Sequence, residues 1–332
     1  MGELLESRRA TTGLRIEKLR ERFRDAELLC GQSACVYATG SFARGEASTH
    51  SDLDLFIASK VVLNRDKKEK PGLSRLNEIL VEAELIKATR EQHIPDFSGD
   101  GAYLKHYWVK QLVTELGTRK DDFNNTFTAR LLLLLESQPL VGASAYSDIT
   151  KSVIAAYWRD YESHSSDFVP GFLANDIIRM WRTFCVNYEA LSQNVPDKER
   201  AKRGLKNYKL KHSRLLTCYS ALLYLLGAYS KNATVSPDDV EKMIRLTPTK
   251  RIEWLLADRD FSQAHDKMRD LLAAYERFLE STDFSEEEMI ERFLDKKLKR
   301  ALFESGQKFG DLVFDVLSIV GRGSRLHRLL VV

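Results

Sequence analysis

The chain has 332 residues, enough for two domains. It is 43% hydrophobic and 10% aromatic, which points to a packed core and excludes a disordered chain. A net charge of +3 excludes a nucleic-acid binder that works by bulk electrostatics alone and leaves local basic patches open.

Four cysteines, Cys30, Cys35, Cys185 and Cys218, form no C-x-x-C and no zinc-type spacing with histidine. Reduced, buried thiols are expected. The first residues, MGELLESRRATTGLRIEKLRERF, are too charged for a signal peptide. The longest apolar run, Leu215 to Tyr229, has 15 residues. A bilayer span needs about 20. A cytoplasmic protein without a membrane span is the expectation.

In chain order, Leu14, Ile16, Leu19, Phe23, Ala26 and Leu29 recur at helical spacing and predict an amphipathic helix over 14–29. ACVYAT and DLDLFIAS read as strands, separated by a glycine-containing stretch. VVLNRDKKEKPG reads as a charged loop that a Pro-Gly pair ends. LSRLNEILVEAELIKATREQ predicts a helix, AYLKHYWV a third strand, and KQLVTELG a short helix stopped at Gly117. TFTARLLLLLESQPLVG favours a buried helix over a strand. Beyond Tyr146 strand signals vanish, and several helices open on Ser or Asp in capping position. The expected fold class is α+β: a small mixed domain over 1–145, then an all-helical domain over 146–332, with a cleft between the two.

The chemistry concentrates in GSFARGEASTHSDLDL, residues 40–55. Side chains alternate along a strand, so Asp52 and Asp54 project from one face while Leu53 enters the core. Two such carboxylates repel unless a cation lies between them, and a hard cation such as magnesium binds through one or two carboxylates plus substrate phosphates. Gly40 and Ser41, following a strand, let backbone N–H groups and a hydroxyl approach a phosphate. Gly45 keeps a side chain out of the way, and Arg44 adds positive charge at the same mouth. A D-x-D or a Gly-Ser alone is weak. The full order, G-S-x-x-x-G, five residues, then S-D-x-D-L, is far more specific.

This stretch resembles the signature of the DNA polymerase β-like nucleotidyltransferase superfamily, most closely its bacterial protein and minimal nucleotidyltransferase branches. The resemblance is carried by residues 34–58. It implies a mixed-sheet nucleotidyltransferase palm followed by helices, and NMP transfer from an NTP (ATP or UTP) to a hydroxyl of a protein, an RNA end or a nucleotide. It also implies that Gly40 and Ser41 hold the β- and γ-phosphates, and that Asp52 and Asp54 ligate Mg2+.

Many active members use a third acid on a later strand as metal ligand and general base. Asp100, in SGDGAYL, is the first choice here. Asp96 is the runner-up; Asp121 and Asp122 read as a surface loop or cap, and Glu136 ends the leucine run. In the helical half, Lys198–Arg214 holds eight Lys or Arg against one Glu. It reads either as a solvated face or as a wall that meets triphosphate or RNA backbone, with Lys209 and Lys211 as nucleotide-binding candidates. Asn175, Arg179 and Arg182 share one helix face. A catalytically inactive nucleotide-sensing or RNA-binding module is the alternative to an enzyme.

Overall fold

The computed structural model describes residues 2–97, 101, 104–190 and 196–331. The chain divides into two compact units, Leu5–Arg159 and Asp160–Val332, the latter counted with the first four residues.

In the first unit, α1 (Glu3–Arg22) and α2 (Arg24–Cys30) replace the expected single helix over 14–29. Phe23, at φ −89° and ψ 16°, breaks the run, and its ring is fully buried. β1 (Ala34–Thr39) leads into a four-residue helical turn, α3 (Gly40–Ala43), and the chain returns as β2 (Asp54–Ser59). The charged segment expected to be a loop is a hairpin of β3 (Val61–Leu63) and β4 (Glu69–Pro71). α4 (Arg75–Glu91) follows, its first turn capped by Ser74, which accepts from the Asn77 N–H. β5 (His106–Trp108), α5 (Val109–Thr114), α6 (Arg119–Phe123) and α7 (Thr126–Leu135) come next. The leucine run is a buried helix as its composition suggests, but SQPLVG after it forms a further strand, β6 (Gln138–Val141). α8 (Ala143–Tyr157) closes the unit.

The four-stranded sheet has the order β5-β2-β1-β6. β1 is antiparallel to β2 and to β6, and β2 is parallel to β5, so the sheet is mixed. All six residues of β1 are buried, as both faces of the sheet are covered. Val36, Ala38, Leu53, Leu55 and Ile57 join a core with Leu19, Phe23, Ala26, Val81 and Leu85. On the opposite face Tyr37 stacks on Phe56 at 5.6 Å and meets Tyr146 of α8 edge-on at 6.0 Å. The domain boundary expected at 145 therefore falls inside α8, whose buried Ala145, Ile149, Val153 and Ile154 tie it to the sheet.

Away from the sheet, Asp121 is no surface residue. Arg130 and Asp121 are both fully buried, paired through Nη1–Oδ1 at 2.9 Å and Nη2–Oδ2 at 2.6 Å. Arg130 also donates to Tyr157 Oη and the Leu112 carbonyl. One desolvated guanidinium thus links α5, α6, α7 and α8, and the Asp121 carboxylate holds it firmly charged against its burial.

The second unit is helical throughout its described residues: α9 (Gly171–Ala190), α10 (Asp197–Lys209), a π-helical segment Leu210–Arg214, α11 (Leu215–Asn232), α12 (Pro237–Arg245), α13 (Pro248–Leu256), α14 (His265–Ser281), α15 (Glu286–Leu294), α16 (Lys296–Val320) and α17 (Arg325–Leu329). The apolar run noted in the sequence is α11, the central helix, which packs against α9, α12, α13 and α16. No helix among the described residues is long and apolar enough to cross a membrane. Ser236 and Ser285 form reciprocal capping boxes with Asp239 and Glu288, as their spacing predicts. His212, in the π-helical segment, lies flat on Phe278 at 4.4 Å and donates through Nδ1 to the Tyr208 carbonyl at 2.9 Å. Burial pushes its imidazole down to about 4.

Candidate functional site

The register of the first two strands builds the site. Thr39, the last residue of β1, pairs with Asp54, the first of β2. Paired residues of antiparallel strands share a face, so Asp54, Thr39, Tyr37 and Phe56 lie together, opposite the apolar core. The strand starts at Asp54, one position later than Leu53, so Asp52 belongs to the loop before β2 and not to the strand as expected; Asp52 is exposed, Leu53 is 2% exposed, and Asp54 is half-buried.

Gly40 has φ +69°, a left-handed conformation that favours glycine. A Cβ there would stand 2.8 Å from Asp54 Oδ2. Residue 40 is therefore glycine for two reasons: the backbone turns sharply off the strand, and the carboxylate occupies the space a side chain would need. Ser41 follows in the turn and is half-buried; its hydroxyl makes no hydrogen bond among the described residues. The turn closes through Arg44 N–H to Gly40 O at 3.0 Å and Glu46 N–H to Ser41 O at 2.8 Å.

α1 fixes the loop between the turn and Asp52. Thr12 Oγ1 accepts from the Ala47 N–H at 3.0 Å, and Arg15 donates to the Ser48 carbonyl at 2.6 Å. The Arg15 guanidinium also lies 4.5 Å over the Phe42 ring, and burial lowers its pKa from the usual value. Ser48 and Ser51 then close a tight turn: the Ser48 N–H donates to Ser51 Oγ at 2.9 Å, and the Ser51 N–H to the Ser48 carbonyl at 3.2 Å. No local pattern marks the α1 contacts, since helical periodicity marks a face and not its polar partners.

Arg44 stands apart from its expected place at an open mouth. Its side chain is 8% exposed, with Nε donating to Glu46 Oε2 at 2.8 Å and Nη1 to Glu136 Oε2 at 3.0 Å. The other Glu136 oxygen accepts from the Gly40 N–H at 3.1 Å. Ninety-six positions separate Gly40 and Glu136, so no local pattern could have paired them.

Asp100 lies outside the described residues. Asp96 is exposed and held by Arg90 Nε at 2.8 Å, which lowers its pKa. Asp121 serves Arg130, and Glu136 serves Gly40 and Arg44. Upstream of β5, where the chain runs toward the Asp54 end of parallel β2, the described residues Gly101, Leu104 and Lys105 carry no carboxylate. Among the described residues no group of three His, Cys, Asp or Glu is arranged to hold a metal. Asp52 and Asp54 are nonetheless oxygen donors only, and beside Asp54 the Thr39 hydroxyl is buried without a hydrogen-bond partner among the described residues. That set fits a hard divalent cation shared with a phosphate ligand.

Lys209 and Lys211 belong to the second unit. Lys209 is exposed at the end of α10, and Lys211 Nζ lies 5.8 Å from the Phe303 ring centroid. Part of the basic run serves local acids: Arg200 pairs with Asp197, Arg203 with Glu199, and Lys202 with Glu286 at 2.9 Å. Lys202, then Lys209 and Lys206, hold the Glu286 pKa below the usual carboxylate value. On α9, Asn175 and Arg182 are exposed, and Arg179 lies 4.0 Å from Asp176.

A strand, a Gly-Ser turn and a returning strand that opens on a carboxylate are the parts expected of a nucleotidyltransferase palm. Residues 16–121 match the family model described as "Nucleotidyltransferase domain". This part of the chain is thus a nucleotidyltransferase domain, consistent with the polymerase β-like superfamily. Comparison with curated proteins and with solved structures gave no match.

Proposed function

We propose that the protein transfers an NMP from an NTP to a hydroxyl acceptor and releases pyrophosphate. The observation that carries this reading is the placement of Asp54 against Gly40, which brings a carboxylate and a phosphate-type turn to one point. In this reading Ser41 and the backbone of the turn bind the β- and γ-phosphates. Asp52 and Asp54 would hold Mg2+, which when bound polarises the phosphate oxygens and offsets charge on the leaving pyrophosphate. Asp54, backed by the antiparallel pairing with Thr39, orients the α-phosphate end, and α1 fixes the loop that delivers Asp52. Asp100 is the proposed third acid. Lys209 and Lys211 are proposed nucleotide contacts. ATP or UTP is the proposed donor, and a protein, an RNA end or a nucleotide the acceptor. Four free cysteines suit a reducing, cytoplasmic setting.

The alternative reading is a non-catalytic nucleotide-sensing or RNA-binding module. Binding and transfer measured on wild type, Asp54→Asn and Asp100→Asn separate the two. An enzyme loses transfer in both variants. A sensor binds nucleotide without transfer in any of the three.

A further inference from the structure

The sequence pattern left Glu136 as one of several acids, yet it is among the most constrained side chains near the turn. It is fully buried, directly follows α7, and meets the turn from the β6 side of β1. Its two oxygens go to opposite ends of the same turn: Oε1 to the Gly40 N–H at 3.1 Å, Oε2 to Arg44 Nη1 at 3.0 Å. Arg44 in turn reaches Glu46. One carboxylate therefore spans the start and the end of the segment that carries Ser41.

We propose that Glu136 is a positioning residue that sets the geometry of the Gly40–Ser41 turn, and that Arg44 is its tether and not a phosphate contact. The inference builds on the nucleotidyltransferase reading above. A metal-ligand role for Glu136 conflicts with both of its oxygens being engaged and its side chain being inaccessible. A phosphate-contact role for Arg44 would require breaking two buried charge-assisted hydrogen bonds, each at the strong end of the range. The Gly40 N–H is already used, so phosphate recognition falls to Ser41 and the turn's remaining donors. These keep their direction only while the clasp holds Gly40 in its left-handed conformation.

The test uses the full chain, with glycine amides selectively labelled for NMR, in wild type, Glu136→Ala, Glu136→Gln and Arg44→Ala. It reads Gly40 amide exchange, melting temperature, and the Kd for Mg-ATP and Mg-UTP. In Glu136→Ala, Gly40 exchange rises and the Kd weakens, each roughly tenfold, as expected for one lost buried acceptor. Glu136→Gln keeps an acceptor for Gly40 and loses the one for Arg44, so the amide stays protected and the Kd shifts less. A folded Glu136→Ala protein with a Kd within about twofold of wild type overturns the proposal. So does an Arg44→Ala protein that loses affinity while Glu136→Ala keeps it. If Glu136→Ala does not fold, Glu136→Gln decides: an exposed Gly40 amide with unchanged Kd overturns the proposal. Wild type that binds neither nucleotide overturns the nucleotidyltransferase reading instead, and the Gly40 exchange then decides alone whether Glu136 sets the turn.

Discussion

Gly40→Ala and Gly45→Ala form a matched pair that isolates one contact. Both glycines are left-handed, at φ +69° and +72°. Placing alanine in that region costs about 1–2 kcal/mol. For a unit of this size that is a loss of roughly 2–8 °C in melting temperature, similar for the two variants. Their surroundings differ. A Cβ on residue 45 meets Arg9 Cγ at 3.5 Å, an ordinary contact, whereas a Cβ on residue 40 lies 2.8 Å from Asp54 Oδ2. To regain a 3.4 Å contact the carboxylate must withdraw by about 0.6 Å. Misplacing a reacting group by about 1 Å costs on the order of a hundredfold in rate. Gly40→Ala should therefore lower nucleotidyl transfer about ten- to a hundredfold more than Gly45→Ala, at equal stability. The assay pairs thermal unfolding with transfer of label from an NTP. Equal activity loss in the two variants would refute the idea that Asp54 acts at the Gly40 turn.

Asp121→Asn should destabilise the first unit by about 3–5 kcal/mol, because it strands the buried Arg130 guanidinium; chemical denaturation measures this, and a change under 1 kcal/mol would contradict it. His212 carries the pH prediction. Its folded pKa, about 4, lies below the usual 6.5, so the native state resists protonation and stability is present above pH 6.5 and lost as pH falls toward 4. The loss reaches about 2 kcal/mol by pH 5. In His212→Phe the difference in stability between pH 7 and pH 5 should shrink by about that amount; an unchanged slope would show that His212 does not titrate this way. Thr12→Val removes the acceptor of the Ala47 N–H and should cost about 1–3 kcal/mol. Faster amide exchange at Ala47 is the readout, and unchanged exchange would count against α1 as the anchor of the loop.

Much of the first unit was legible in local pattern. ACVYAT is β1 because a fully buried strand reads as a continuous apolar run. Within β2, Leu55 and Ile57 enter the core and Asp54 and Phe56 take the opposite face, the period-two alternation that DLFI suggests. The misses share a cause. The β3–β4 hairpin pairs three apolar residues, Val61–Leu63, with Glu69–Pro71 across a charged turn, strands too short for alternation to show, and β6 is a four-residue strand that contains Pro139. Asp121 read as a surface or capping acid and Glu136 as one third-acid candidate among several, because their partners, Arg130 and the Gly40 turn, become neighbours only in the folded chain. Arg44 was read as available for phosphate for the same reason: charge is visible in a sequence, and its neutralisation by distant carboxylates is not.

In the proposed function the Gly40–Asp54 site moves the nucleotidyl group and not the terminal phosphoryl group of an NTP. The direct measurement supplies Mg2+, an acceptor-containing lysate and one NTP, labelled either at the α- or at the γ-phosphate. The expected result is that α-label enters the acceptor, that γ-label leaves as pyrophosphate, and that Asp54→Asn abolishes both. Transfer of γ-label to the acceptor, or α-label incorporation that Asp54→Asn leaves at the wild-type level, would contradict it.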